Sequence, residues 1–165
     1  RGIVQQIVQI VSAEGPVSLE SAARRIAPTW GLDRVSARAV DRVRKLVPTE
    51  QVYLQAADSG DFLWPVDAPP EGYLGFRVPD GDGHGARQAT ELPLEEVANA
   101  AHHILASHFS APMDELVRET ARLFGFQRLG RIVDERMRMG IELLVERKAV
   151  RVEGEAVVLS ASSAY

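Results

Sequence analysis

The chain has no cysteine, and only two of its 165 residues, Lys45 and Lys148, are lysine. Without thiols, disulfides and thiolate metal sites are excluded, and a reducing, cytoplasmic setting is the expectation that follows. Neither lysine follows a glycine, so no G-x-x-x-x-G-K-[ST] loop exists to cradle phosphates, and ATP hydrolysis by this chain is not expected. There is no run of about 18 apolar residues, hence no membrane span, and no secretory signal opens the chain. It starts at Arg1 rather than Met, which leads us to expect a domain excised from a longer protein.

Other chemistry is also missing. No Gly-x-Ser-x-Gly elbow occurs, and no cysteine nucleophile is possible. "PD" at Pro79-Asp80 and "ERK" at Glu146–Lys148 mimic nuclease letters. They fall in a Gly-rich loop and at a helix end, far apart in sequence. His102, His103 and His108 share one helical stretch, but none stands at i+4 from another, the spacing a helical metal pair prefers. His84, among glycines, reads as solvated. "DGDGHG" holds Asp80 and Asp82 but lacks the later bidentate Glu of a calcium loop. We therefore expect no catalytic residues, no metal and no cofactor.

What is present is an ordinary soluble composition, 45 % apolar and 25 % charged, with a formal charge of −4. That charge argues mildly against a dedicated nucleic-acid binder. It is unevenly spread: residues 1–65 hold 8 Lys/Arg against 7 Asp/Glu, residues 66–93 hold 2 against 5, and residues 94–165 hold 9 against 11. Any basic surface must be local.

One pattern occurs twice. "WGLDRVS" at Trp30–Ser36 and "FGFQRLG" at Phe124–Gly130 share the order aromatic, Gly, apolar, polar, Arg, apolar, small. Around the first copy, "IVQQIVQIVS" has helical spacing with a wide apolar face, which predicts a well-buried helix. Ser18 can N-cap a second helix over about 19–28. A third, over about 35–47, ends before Pro48. "QVYLQA" and "DFLWP" flank "ADSG" as two strands and a turn. Around the second copy the order recurs: "LEEVANAAHHILASHF", then "SAPMDELVRETARLF" with Asp114 standing where Ser18 stood, a long helix over about 131–147, and the hairpin "AVRVEGEAVVL". Residues 66–93, rich in Pro, Gly and Asp, form a linker or large loop with room for a short strand at "YLGFRV".

Helix, helix, helix, hairpin is the signature of a winged helix. The expected fold is mainly α with small β-hairpins (α+β), as tandem winged-helix repeats. The first unit is 1–65, the linker 66–93, and the second unit 94–165. The repeated motif is then the turn between second and third helices, its aromatic in the core and its Gly allowing the bend.

Several stretches together resemble the DUF3320 domain: "SAEGPVSLESAARRIAPTWGLDRVSARAVDRV", "DFLWP", "TELPLEEVANAA" and "DELVRETARLFGFQRLGRIVDERM". The resemblance implies a place near the C-terminus of a long bacterial protein with superfamily-1 helicase-like ATPase segments. It thus implies a nucleic-acid-processing parent. It carries no catalytic residues to this chain.

On the first unit's third helix, Arg34, Arg42 and Lys45 fall within about 40° of Arg38 at 100° per residue. Val40, Val43 and Val47 lie opposite. A basic stripe segregated from an apolar one suits a helix that meets phosphates or base edges. Asp33 and Asp41 dilute it, and a plain solvated face has the same pattern. Arg24 and Arg25 can extend the basic surface. Arg34 and Arg128 are equivalent after the Gly, with a shared structural job or shared ligand contact both open. The second unit's third helix has core residues Val133, Met137, Gly140 and Leu144. Glu135, Glu142 and Glu146 oppose them beside Arg131 and Arg138, a poor face for phosphates. Ile132, Met139 and Leu143 make another apolar stripe beside Arg136, read as an interface to the other repeat or to a neighbouring domain of the parent. Both wings end acidic, at Asp58 and Asp61 and at Glu153 and Glu155, which argues against wing–phosphate contact. Trp30, Trp64 and Phe124 are expected in the core rather than stacked on bases. The leading expectation is a non-catalytic accessory module that contacts DNA or other nucleic acid. A docking module without nucleic-acid contact is the alternative.

Overall fold

Helical spacing in the first residues and β-rich pairs after each third helix produce a mixed architecture. The computed structural model describes residues 2–32 and 34–161. It holds six α-helices and two three-stranded antiparallel sheets among those residues, an α+β fold. The chain divides into two units, residues 1–73 and 74–165.

In the first unit, α1 (Gly2–Glu14) precedes a two-residue strand β1 (Val17–Ser18), α2 (Leu19–Ile26), a 3₁₀ turn (Ala27–Trp30) and α3 (Ala37–Lys45). Strands β2 (Val52–Gln55) and β3 (Phe62–Pro65) follow, and the sheet order is β1-β3-β2. The apolar face of α1 is narrower in effect than its sequence implies. Only Ile7 and Val11 are fully buried, while Val4 is exposed. The core joins these to Leu19, Ala22, Ala23 and Ile26 of α2, Val43 of α3 and Leu63 of β3. Val40 packs against it partly and Val47 closely. Ser18 caps α2 as expected, its hydroxyl accepting from the Ser21 amide at 3.0 Å.

The second unit runs from a 3₁₀ turn (Ala89–Glu91) through α4 (Leu94–His108), β4 (Ser110–Pro112), α5 (Met113–Leu123) and α6 (Arg131–Glu146). It ends with β5 (Val150–Glu153) and β6 (Ala156–Leu159), in the order β4-β6-β5. Helix α4 is its centre: every residue from Glu95 to Ala101 is buried. Helix α6 comes so close that a Cβ on Gly140 would lie 2.3 Å from Val97 Cγ1. The core also takes Leu116, Val117 and Phe124 from the α5 region, Met137, Ile141 and Leu144 from α6, and Val157 from β6.

Three expectations need correction. Asp114 is not the counterpart of Ser18. Counting back twelve residues from the turn aromatic, Trp30 leads to Ser18 but Phe124 leads to Pro112. Pro112 is the α5 N-cap, without a side-chain bond. Asp114 sits inside the first turn and takes a bond from Arg138 Nη2 at 2.7 Å. Second, "YLGFRV" is not a strand. Its backbone is held by side chains instead: Asn99 Nδ2 donates to the Gly75 carbonyl at 2.8 Å, and the Arg77 amide donates to Glu96 Oε1 at 2.9 Å. Third, each hairpin carries an additional strand, β1 or β4, too short to show alternation.

Gly31 and Gly125, the glycines of the repeated motif, both have positive φ, 75° and 92°. Each ends the turn between second and third helices, where an L side chain would be strained.

Candidate nucleic-acid interface

The third helix of the first unit starts where Ser36 caps it, its hydroxyl accepting from the Ala39 amide at 3.1 Å. Burial of Ala39 and Val43 fixes which way the helix faces. Arg38, Arg42 and Lys45 are consequently all exposed on the outer side. They line one open groove of about 820 Å³ together with Trp30, Leu32, Ser36, Ala39 and Asp41. Arg34 is exposed too, but it precedes the helix and does not line the groove. The helical angle therefore places Arg38, Arg42 and Lys45 but not Arg34, because the cap at Ser36 begins the helix two residues later than Arg34. Asp33 lies outside the described residues.

The groove's cations are weakly tied. Arg42 lies over the Trp30 ring, 5.4 Å from its centroid, an interaction worth about 0.5–1 kcal/mol at an exposed site. Lys45 Nζ is 3.1 Å from Asp41 Oδ2, with 76 % of the Lys45 side chain exposed. Such pairs contribute about 0.2–1 kcal/mol. Arg38 has no ion pair among the described residues. Trp30 is half-buried against the core and half in the groove, so its role is shared. Trp64 and Phe124 are buried. Trp64 Nε1 donates to Gln55 Oε1 at 3.0 Å, and its ring meets Tyr73 edge-on.

Arg44 points elsewhere. It pairs with Asp61 at the turn end of the β2–β3 hairpin, tying hairpin to helix. Asp61 also accepts from the Ala57 amide at 3.3 Å. Its charge is thus already answered, and Asp58 alone remains exposed on that wing. On the second hairpin Glu153 pairs with Arg151. Of the flanking arginines, Arg25 pairs with Glu14, and Arg24 stands 3.9 Å from Glu20.

The stripe on α6 divides. Ile132 and Met139 are 55 % and 40 % exposed. Leu143 is partly buried against the unit's own core. Arg136 is buried, and its Nη2 donates to the Thr90 carbonyl at 3.3 Å. Burial lowers its pKa. Arg136 thus serves the inside of its own unit rather than an outer interface, because the turn at Ala89–Glu91 covers it. Arg138 joins Asp134 at 2.9 Å to Asp114 at 2.7 Å, bracing α6 against α5.

Two groupings escaped the sequence reading. The first is a buried carboxylate, Glu96, whose side chain is fully covered. Arg77 Nη2 reaches its Oε2 at 2.6 Å, and Arg87 Nη1 and Nη2 reach Oε2 and Oε1 at 2.8 and 3.0 Å. Burial pushes the Glu96 pKa up, but the Arg87 and Arg77 hydrogen bonds and charges outweigh it, and the net pKa is lowered. This cluster straps the irregular segment onto α4. The second is a group of arginines at the end of α5. Arg118 and Arg122 stand one helical turn apart, a spacing visible in the sequence, but Arg128 joins them only through the fold of the intervening turn.

Among the described residues, one set of potential metal ligands comes together: Asp80, Asp82 and His84, all exposed, with ligand atoms within 4.8 Å. Asp80 Oδ1 already accepts from the amides of Asp82 and His84, both at 2.9 Å, so the carboxylate shapes the turn. His102 and His103 do not join it. Burial, and then the charge of His103, lowers the His102 pKa.

Fold and groove together define an α+β chain of two helical units, each with a three-stranded sheet, the first exposing a cationic groove on its third helix. Residues 2–41, which supply α1 through the first turn of α3, match the family model of DUF3320, described as a protein of unknown function. The match bears out the DUF3320 assignment over that segment. No curated protein matches the chain.

Proposed function

We propose that the chain is a non-catalytic accessory module of a cytoplasmic helicase- or nuclease-type protein, and that it binds or positions nucleic acid. The order of helix, short strand, two helices and hairpin in each unit supports a winged-helix reading, with the short strand added to the sheet beside β3 or β6. In that fold the third helix approaches the groove of a duplex. The observation that carries the reading is the exposure of Arg38, Arg42 and Lys45 along one groove. Their carboxylate neighbour Asp41 is too weakly bound to compete with a phosphate. Neutralising three phosphates gives a salt slope of about −2.7, enough for measurable but not tight binding.

Fluorescence anisotropy of labelled duplex and single-stranded DNA tests this. Wild-type chain is expected to bind at low salt, and Arg38→Glu with Arg42→Glu to abolish most of that binding. Absence of binding at about 50 mM salt would turn the assignment toward docking. One observation favours docking for the second unit: Ile132 and Met139 stay exposed on α6. In that reading they meet a neighbouring domain of the parent.

A further inference from the structure

Many arginines among the described residues have their charge answered internally, as at Glu14, Asp61, Glu96, Asp134 and Glu153. Arg118, Arg122 and Arg128 do not. Among the described residues none of them has an ion pair or hydrogen bond. All three are exposed, and all three line one concavity of about 250 Å³ with Ala121, Phe126 and Gln127.

Like charges one helical turn apart, as at Arg118 and Arg122, repel and destabilise a helix. Arg128, from the following turn, lines the same concavity. Convergence of this kind is favourable when an anion sits between the forks, because guanidinium presents paired N–H donors that match phosphate oxygens. The volume lies below the 300–1,000 Å³ typical of sites for drug-sized ligands. It suits one oxyanion group rather than base, sugar and phosphate together.

We propose that Arg118, Arg122 and Arg128 form a phosphoryl-binding site in the second unit, taking a single phosphate group through their guanidinium forks. Gln127 supplies a further polar group on the rim. The inference does not rest on the reading of the α3 groove, which uses other residues in the other unit. The acidic face of α6 remains a poor one for phosphates; these arginines come from α5 and the turn after Gly125.

The test is NMR titration of the full chain with inorganic phosphate at constant ionic strength, read on the amides of residues 118–129. Saturable shifts are expected there in wild type. Arg122→Gln with Arg128→Gln should weaken the fit at least ten-fold. Arg122→Lys with Arg128→Lys, which keeps the charge but loses the fork, should give an intermediate loss. Arg38→Glu with Arg42→Glu should leave the phosphate shifts unchanged. Equal shifts in wild type and the Gln pair, or no saturation in wild type, would overturn the site. A second arm compares short DNA strands with a 5′-phosphate and with a 5′-hydroxyl. Displacement of inorganic phosphate by either strand identifies a nucleic-acid phosphate as the source, with the phosphorylated strand competing better if a strand end is taken. Displacement by neither assigns the site to a free phosphate ligand.

Discussion

At the scale of single residues, three positions set the limits of what this chain tolerates. Gly140 is the tightest. A methyl group there would meet Val97 Cγ1 at 2.3 Å and the Ala98 amide nitrogen at 3.2 Å. Backbone on that side cannot give way as a side chain can. Gly140→Ala should cost about 1–3 kcal/mol by overpacking, read as a lower urea midpoint with unchanged slope. Gly31 and Gly125 differ in an instructive way. Both are left-handed, but an added Cβ at Gly31 meets nothing within 4 Å, while at Gly125 it meets Pro79 Cγ at 2.9 Å. Gly31→Ala should cost about 1–2 kcal/mol from backbone strain alone, and Gly125→Ala more. Equal losses in the two variants would show that the Pro79 contact contributes nothing. The third position is Glu96. Its folded pKa lies below the ordinary glutamate value of about 4.3. Its contribution is therefore complete above that value and is lost as pH falls through the lower folded pKa. Glu96→Gln should destabilise by about 3 kcal/mol at neutral pH, because two arginines lose their shared partner. It should also flatten the acid limb of stability between about pH 5 and the lower folded pKa. A variant with the same acid limb as wild type would remove Glu96 from that role.

At the scale of elements, regular helices were legible and their irregular supports were not. Helical spacing marked α1, the Ser18 cap marked α2 and Pro48 bounded α3, and the helices of the second unit followed from the repeated order. The facing of α3 followed from Val43 and Val47 opposite Arg38 and Arg42. Its start did not, since angular reasoning carried Arg34 past the Ser36 cap. The α6 stripe misled for a related reason. Arg136 lies next to exposed Ile132 and Met139 on a helical wheel, yet the turn at Ala89–Glu91 closes over it. That covering depends on chain more than forty residues away, which no local period records. Glu96 was hidden for the same reason: its partners Arg77 and Arg87 lie in a segment with no regular structure. A cap is the simplest element-scale test. Ser18→Ala should cost about 1 kcal/mol by leaving the Ser21 amide unanswered. Pro112→Ala at the corresponding N-cap removes no side-chain acceptor and should not show that loss.

At the scale of the molecule, a chain of net charge −4 groups exposed cations in two places among the described residues. One is the groove of Arg38, Arg42 and Lys45 in the first unit. The other is the pocket of Arg118, Arg122 and Arg128 in the second. Net charge alone therefore understates what the surface can attract, because internal pairs neutralise many other arginines. The account depends on the first of these sites meeting phosphates. The most direct test is the salt dependence of duplex binding, wild type beside Arg38→Glu with Arg42→Glu. Plotted as logarithms, wild-type affinity should fall linearly with salt, and the variant's slope should be shallower by about 1.8, two phosphate contacts at about 0.9 each. An identical slope in both proteins, or no wild-type binding at the lowest salt, would contradict it.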